Sequence, residues 1–181
     1  MHSIPIVRKR QAPENAVNLD SFKKLHDNAR LWVYAFDEAL SDQGKRLVHD
    51  RLVDFLNEWH SHRARVEGAF SIAHDRFVIL AAVSQDGISG CSIDGSVENF
   101  KYFRDQHGLD ALSKHLVYYR DSDGRIKAID RAAFQGEIDG GRCGPSTIVF
   151  DTTIQTLADL RAGRFEIPLQ KSWHAKAFLP A

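Results

Sequence analysis

Hydrophobic positions along this chain follow two spacings, and the switches between them mark out its elements. The run Arg30-Leu31-Trp32-Val33-Tyr34-Ala35-Phe36 is apolar at nearly every position and rich in β-branched and aromatic residues, which predicts a buried strand. Ser41 and Asp42 then offer a helix start, and Val48, Leu52, Phe55 and Trp59 recur at spacings of four, three and four, a single stripe on a helix over 42–60. Val66, Phe70 and Ile72 fall on alternate positions, and after a polar turn at His74-Asp75 comes the unbroken run Phe77-Val78-Ile79-Leu80-Ala81-Ala82-Val83. Together they predict an antiparallel hairpin with one half-exposed and one fully buried strand.

A glycine-rich loop over 85–95 leads into a second helix with Ile93, Val97, Phe100 and Phe103 on its core face and Gly108 closing it. Leu116-Val117-Tyr118-Tyr119 and Ile126-Lys127-Ala128-Ile129 predict another hairpin around Asp121-Ser122-Asp123-Gly124. The order β-α-β-β-α-β is that of a ferredoxin-like core, an α+β fold with an antiparallel sheet and both helices on one face. A C-terminal extension follows. It holds a short polar helix near 131–138, a glycine-rich loop over 140–145 and a strand at Thr147–Phe150. A helix over 152–162, capped by Asp151 or Thr152, and the aromatic tail Ser172-Trp173-His174-Ala175-Lys176-Ala177-Phe178 complete it. Residues 1–28, polar with Pro5 and Pro13, read as a mobile arm ahead of one domain over 29–181.

Composition narrows the function classes. Lysine plus arginine (24) equal aspartate plus glutamate (24), so the cation surplus that non-specific nucleic-acid binding relies on is missing. Arg8-Lys9-Arg10 is followed by no apolar core of a leader, and no stretch is apolar enough to span a bilayer. Two cysteines without such a leader point to a reducing, cytoplasmic setting rather than a disulfide framework.

The most chemically suggestive segment is Gly90-Cys91-Ser92-Ile93-Asp94 at the mouth of the second helix. Unpaired amides and the helix dipole favour an anion there, so Gly90, Ser92, Ile93 and Asp94 are the candidate anion-binding residues and Cys91 a candidate low-pKa thiolate. Asp94 works against the thiolate if it is close, and otherwise caps the helix, a task Ser92 also suits. The loop has no cation between Ser84 and Lys101 and carries Val97 where a Cys-x5-Arg cradle needs arginine, so neither a P-loop nor that cradle fits. The competing reading is packing, since free cysteine is often buried.

A thiolate catalyst needs a base, and His174, flanked by Trp173 and Phe178, is the candidate, against the plainer reading of a tail anchor. His60 and His62, with His49 or His74 as further ligands, lack the third partner a metal site requires, so no metal or cofactor is expected. Cys143 in Gly140-Gly141-Arg142-Cys143-Gly144-Pro145 reads as a surface turn, and Asp75-Arg76 as turn chemistry with a surface ion pair.

Arg30-Leu31-Trp32-Val33-Tyr34, Asp75-Arg76-Phe77-Val78-Ile79-Leu80, Ser89-Gly90-Cys91-Ser92-Ile93-Asp94 and Ser172-Trp173-His174 together resemble a family of small bacterial proteins often labelled "ABC transporter ATPase". The resemblance spans roughly residues 30–178. It implies that the Cys91 loop and the Ser-Trp-His tail form one site, and it transfers no reaction. The label does not suit this chain, which has no Walker A glycine-lysine loop. The expectation is a binding or assembly module for a protein, a small ligand or a second copy of the chain, with a Cys91–His174 thiol enzyme or redox protein as the alternative.

Overall fold

The computed structural model describes residues 16–61, 64–85 and 87–179, with the side chains of Cys91 and Ser92 also outside the described set. The strands are β1 (Arg30–Ala35), β2 (His60–Ser61), β3 (Ala64–Arg65), β4 (Glu67–Ala73), β5 (Phe77–Val83), β6 (Leu116–Arg120), β7 (Ile126–Asp130), β8 (Ile148–Phe150) and β9 (Glu166–Pro168). The helices are α1 (Asp42–Glu58), α2 (Gly90–His107), α3 (Arg131–Asp139), α4 (Leu157–Arg161) and α5 (His174–Phe178). The fold is α+β with antiparallel sheets, as the alternation of spacings predicts.

Alternation along each strand shows how the layers stack. In the sheet β1-β5-β4, Trp32, Tyr34, Val78, Leu80, Phe70 and Ile72 face α1 and α2. Their neighbours Leu31, Val33, Ala35, Phe77, Ile79 and Ala81 turn the other way, onto Tyr118 and Phe150 of the sheet β7-β6-β8-β9. The far side of that second sheet, with Val117, Tyr119 and Val149, is closed by Phe134 of α3 and Phe178 of α5. The order is therefore helix, sheet, sheet, helix. Burial on both faces is why Phe77–Val83 reads as a continuous apolar run rather than an alternating one.

Both predicted helices do cover one face of the first sheet. Ser41 caps α1, its Oγ accepting from the Gly44 amide at 3.1 Å, and Gly108 at φ 67° ends α2 with the Leu109 amide returning to the Phe103 carbonyl. The strand expected to complete a ferredoxin-like sheet, Leu116–Arg120, joins the second sheet instead. Tyr118 still reaches back, donating its hydroxyl to the Ala35 carbonyl at 2.7 Å. The physical reason lies in the pattern itself: a sheet with apolar residues on both faces needs a second cover, and the C-terminal strands supply it.

Residues 18–25, expected within a mobile arm, are packed onto the core. A 3-10 turn, Leu19–Phe22, is capped by Asn18, and Phe22 and Leu25 are buried in the inter-sheet core. Residues 1–15 lie outside the described residues. The helix expected over 152–162 is shorter, with Thr156 as its cap, because Asp151 holds the Thr153 amide in a turn and Gln155 and Thr156 then pair with the start of β1.

Candidate functional site

The α2 entrance differs from the predicted loop. The helix begins at Gly90, so Cys91 is its second residue, Asp94 its fifth and exposed, beyond the capping position. The Ile93 amide, expected to be an anion donor, already donates to the Ser89 carbonyl at 3.1 Å. A Cβ on Gly90 would meet nothing within 4 Å, so no close backbone approach requires glycine there. The side chains of Cys91 and Ser92 lie outside the described residues. Further along, Ile93 and Val97 turn half-buried side chains into a groove.

That groove, about 690 Å³, runs along the edge of β1 that the departure of β6 leaves open. One wall is Ile93, Val97 and Leu112, the other Leu116 and the 152–155 segment, with Trp32 and Val33 on the floor and Lys114 as the single charge among the described lining residues. Hydrogen-bond alternation in an antiparallel pair turns odd-numbered β1 residues away from β5. At one end the Leu157 amide bonds the Ala29 carbonyl and the Leu31 amide bonds the Gln155 carbonyl at 2.8 Å. At the other, the Ala35 carbonyl takes the Tyr118 hydroxyl and the Asp37 amide bonds the Asp110 carbonyl. Between them the Leu31 carbonyl, both Val33 backbone groups and the Ala35 amide have no protein partner among the described residues.

His174 is not in this groove. Its ring is 2% exposed, stacks on Trp173 at 3.9 Å between centroids, and places Nδ1 3.0 Å from the Ser172 hydroxyl. Burial pushes its pKa down to about 4, Asp151 opposing and Arg131 adding to the shift, so the imidazole is neutral near pH 7. Its ring meets Ser172, Trp173 and Phe178 of the tail, whereas α2 packs on the first sheet. The two meet only through an intermediary: Thr153, Ile154 and Gln155 line both the groove and a separate depression bordered by Ser172 and Trp173.

Cys143 is buried, contrary to the expected surface turn. Gly141 at φ 70° folds the chain back after α3, the Arg142 and Cys143 amides both bond the Glu137 carbonyl, and the thiol packs among Phe134, Val149 and Leu169. Burial raises its pKa, which makes it a poor thiolate. His60 bonds the Glu58 carbonyl through Nδ1, His62 lies outside the described residues, and the described residues hold no metal-binding cluster.

Sequence reasoning missed the cluster built on His74. It and Asp75 open the three-residue hairpin connection 74–76 with φ 53° at both positions, a left-handed geometry that costs energy without glycine. Each turn residue is tied outward, Asp75 to Lys45 of α1 at 2.9 Å and His74 to Glu166 of β9 at 3.0 Å. Glu166 also takes the guanidinium of Arg120, which lies over the Phe150 ring. Burial alone would raise the Glu166 pKa, but the bonds from His74 and Arg120 outweigh it and hold the carboxyl at about 2. The signal was a three-residue connection, His74-Asp75-Arg76, with no glycine or asparagine in it. Arg76 within it makes no ion pair among the described residues and donates to the Phe36 and Asp37 carbonyls.

Comparison with protein-family models, with curated proteins and with solved structures returned no match. Among the described residues no helix is long and apolar enough to cross a membrane.

Proposed function

We propose that this protein is a binding module whose ligand lies in the groove along β1. The observation that carries the reading is the pairing of half-buried apolar walls with strand-edge backbone groups that lack a protein partner among the described residues. Apolar lining with a few convergent polar groups is the usual make-up of a ligand site, and an unpaired strand edge is a ready template for a further partner. The His74–Glu166–Arg120 and Lys45–Asp75 ties hold the two sheets and α1 in register around it.

The test is titration with the apolar fluorophore anilinonaphthalene sulfonate, whose sulfonate also suits Lys114. Wild type is expected to bind it, and Val97→Gln and Leu112→Gln to weaken binding about tenfold each with the near-ultraviolet circular dichroism unchanged. No binding, or binding indifferent to both changes, sinks the reading. The thiol alternative keeps one supporting observation, the place of Cys91 in the first turn of a long helix. If iodoacetamide at neutral pH blocks cellular function while the groove variants leave it intact, that alternative replaces the binding reading.

A further inference from the structure

Resting on the groove reading, we infer that the occupant is an extended segment of a separate polypeptide, added to β1 as a short antiparallel strand. The groove is a strand position left vacant. β5 lies on one side of β1, the 155–157 segment already pairs antiparallel with its first residues, and the gap opens where that segment turns away. The groups that face the gap are a carbonyl from Leu31, an amide and a carbonyl from Val33 and an amide from Ala35. In an antiparallel pair one partner residue exchanges both bonds with Val33, and the residues two positions to either side of it meet the other two groups. A compact small molecule would have to match this donor and acceptor order at strand spacing, which a peptide backbone does by construction.

The walls state the rest of the chemistry. Side chains of an added strand alternate between Ile93 and Val97 on the helical side and Leu116 and Ile154 on the second-sheet side, so apolar residues suit both directions. Lys114 at the rim favours an acidic residue next to the apolar stretch. That argues against the chain's own first residues, where the apolar Ile4–Val7 is followed by Arg8-Lys9-Arg10 and contains Pro5, which cannot donate. A second copy cannot offer its β1, whose edge lies between the same walls.

The experiment uses the full chain and a panel of acetylated, amidated heptapeptides. Each has valine, isoleucine, leucine or phenylalanine at the second to sixth positions, so that both faces of the strand are apolar, and glutamate at both ends. At least one is expected to displace anilinonaphthalene sulfonate, and N-methylation of its central amide to weaken it about tenfold or more, since the strand bond is then lost. Dye binding with no peptide binding overturns this inference while leaving the groove reading standing; failure of the dye itself removes both. An N-methylated peptide that binds as well as its parent overturns the strand pairing. If Ile4→Glu with Ile6→Glu raises peptide affinity about tenfold, the chain's own first residues hold the groove, and the separate partner is overturned.

Discussion

The imidazole of His174 stacks on Trp173 and lies parallel to Phe178, with Nδ1 at the Ser172 hydroxyl and that hydroxyl in turn on the Leu169 carbonyl. Placed this way it locks the tail onto the second sheet, and its protonation is the cost. The folded pKa is near 4 against an ordinary 6.5, so in that interval the unfolded chain binds the proton more readily than the folded one. Stability is therefore full above pH 6.5 and falls as the pH drops toward 4, by a limit of about 3 kcal/mol. Urea midpoints measured from pH 7 to pH 5 are expected to show that decline. His174→Gln should be less stable at pH 7 by roughly 1–2 kcal/mol and nearly flat over the same range. Equal slopes for the two proteins would show that another group sets the acid sensitivity. The same low pKa makes His174 a weak base, and this is the strongest physical argument against its pairing with a thiol.

At the scale of elements, Tyr118 determines how β6 serves two sheets. Its ring packs on Phe77 at 5.4 Å between centroids, and its buried hydroxyl satisfies a carbonyl of β1, so one side chain both fills the inter-sheet core and closes one end of the groove. Burial drives the Tyr118 pKa well above the usual tyrosine range, so the hydroxyl stays a donor at any working pH. Tyr118→Phe keeps the packing and strands the Ala35 carbonyl, which is expected to lower stability by about 1–2 kcal/mol in urea titrations. An unchanged midpoint would mean that water replaces the hydroxyl at no cost. The element order was legible in the sequence because helix stripes such as Val48-Leu52 and the run Phe77–Val83 are long, local signals. What was not legible is pairing: nothing within Leu116–Arg120 distinguishes the edge of β1 from that of β8, because the choice depends on which of two apolar faces still lacks a cover. For the same reason the groove, which exists only because β6 went elsewhere, left no motif to read. Cys143 misled in the opposite sense, since flanking glycines suggested exposure while their turns folded the thiol inward.

Across the whole molecule, Glu166 joins structures far apart in sequence. Its carboxylate holds His74 at the tip of the first sheet's hairpin and Arg120 in the centre of the second sheet, where Arg120 also bonds the Gly124 carbonyl. The strained left-handed pair at His74 and Asp75 persists because both residues are anchored, one to the second sheet and one to α1. Glu166 has its own pH window, below that of His174. Its folded pKa of about 2 lies under the ordinary 4.5, so its contribution is complete above pH 4.5 and is lost as the pH falls toward 2. Acid unfolding should accordingly proceed in two steps, the upper one belonging to the tail and the lower one to the contact between sheets. Glu166→Gln is expected to cost roughly 1–3 kcal/mol at pH 7, because the Arg120 guanidinium loses its charged partner, and to erase the lower step while leaving the upper one. His174→Gln should do the reverse. If the two variants instead shift both steps together, the sheets and the tail unfold as one unit in acid. The groove would then owe its shape to that single unit and not to the Glu166 tie.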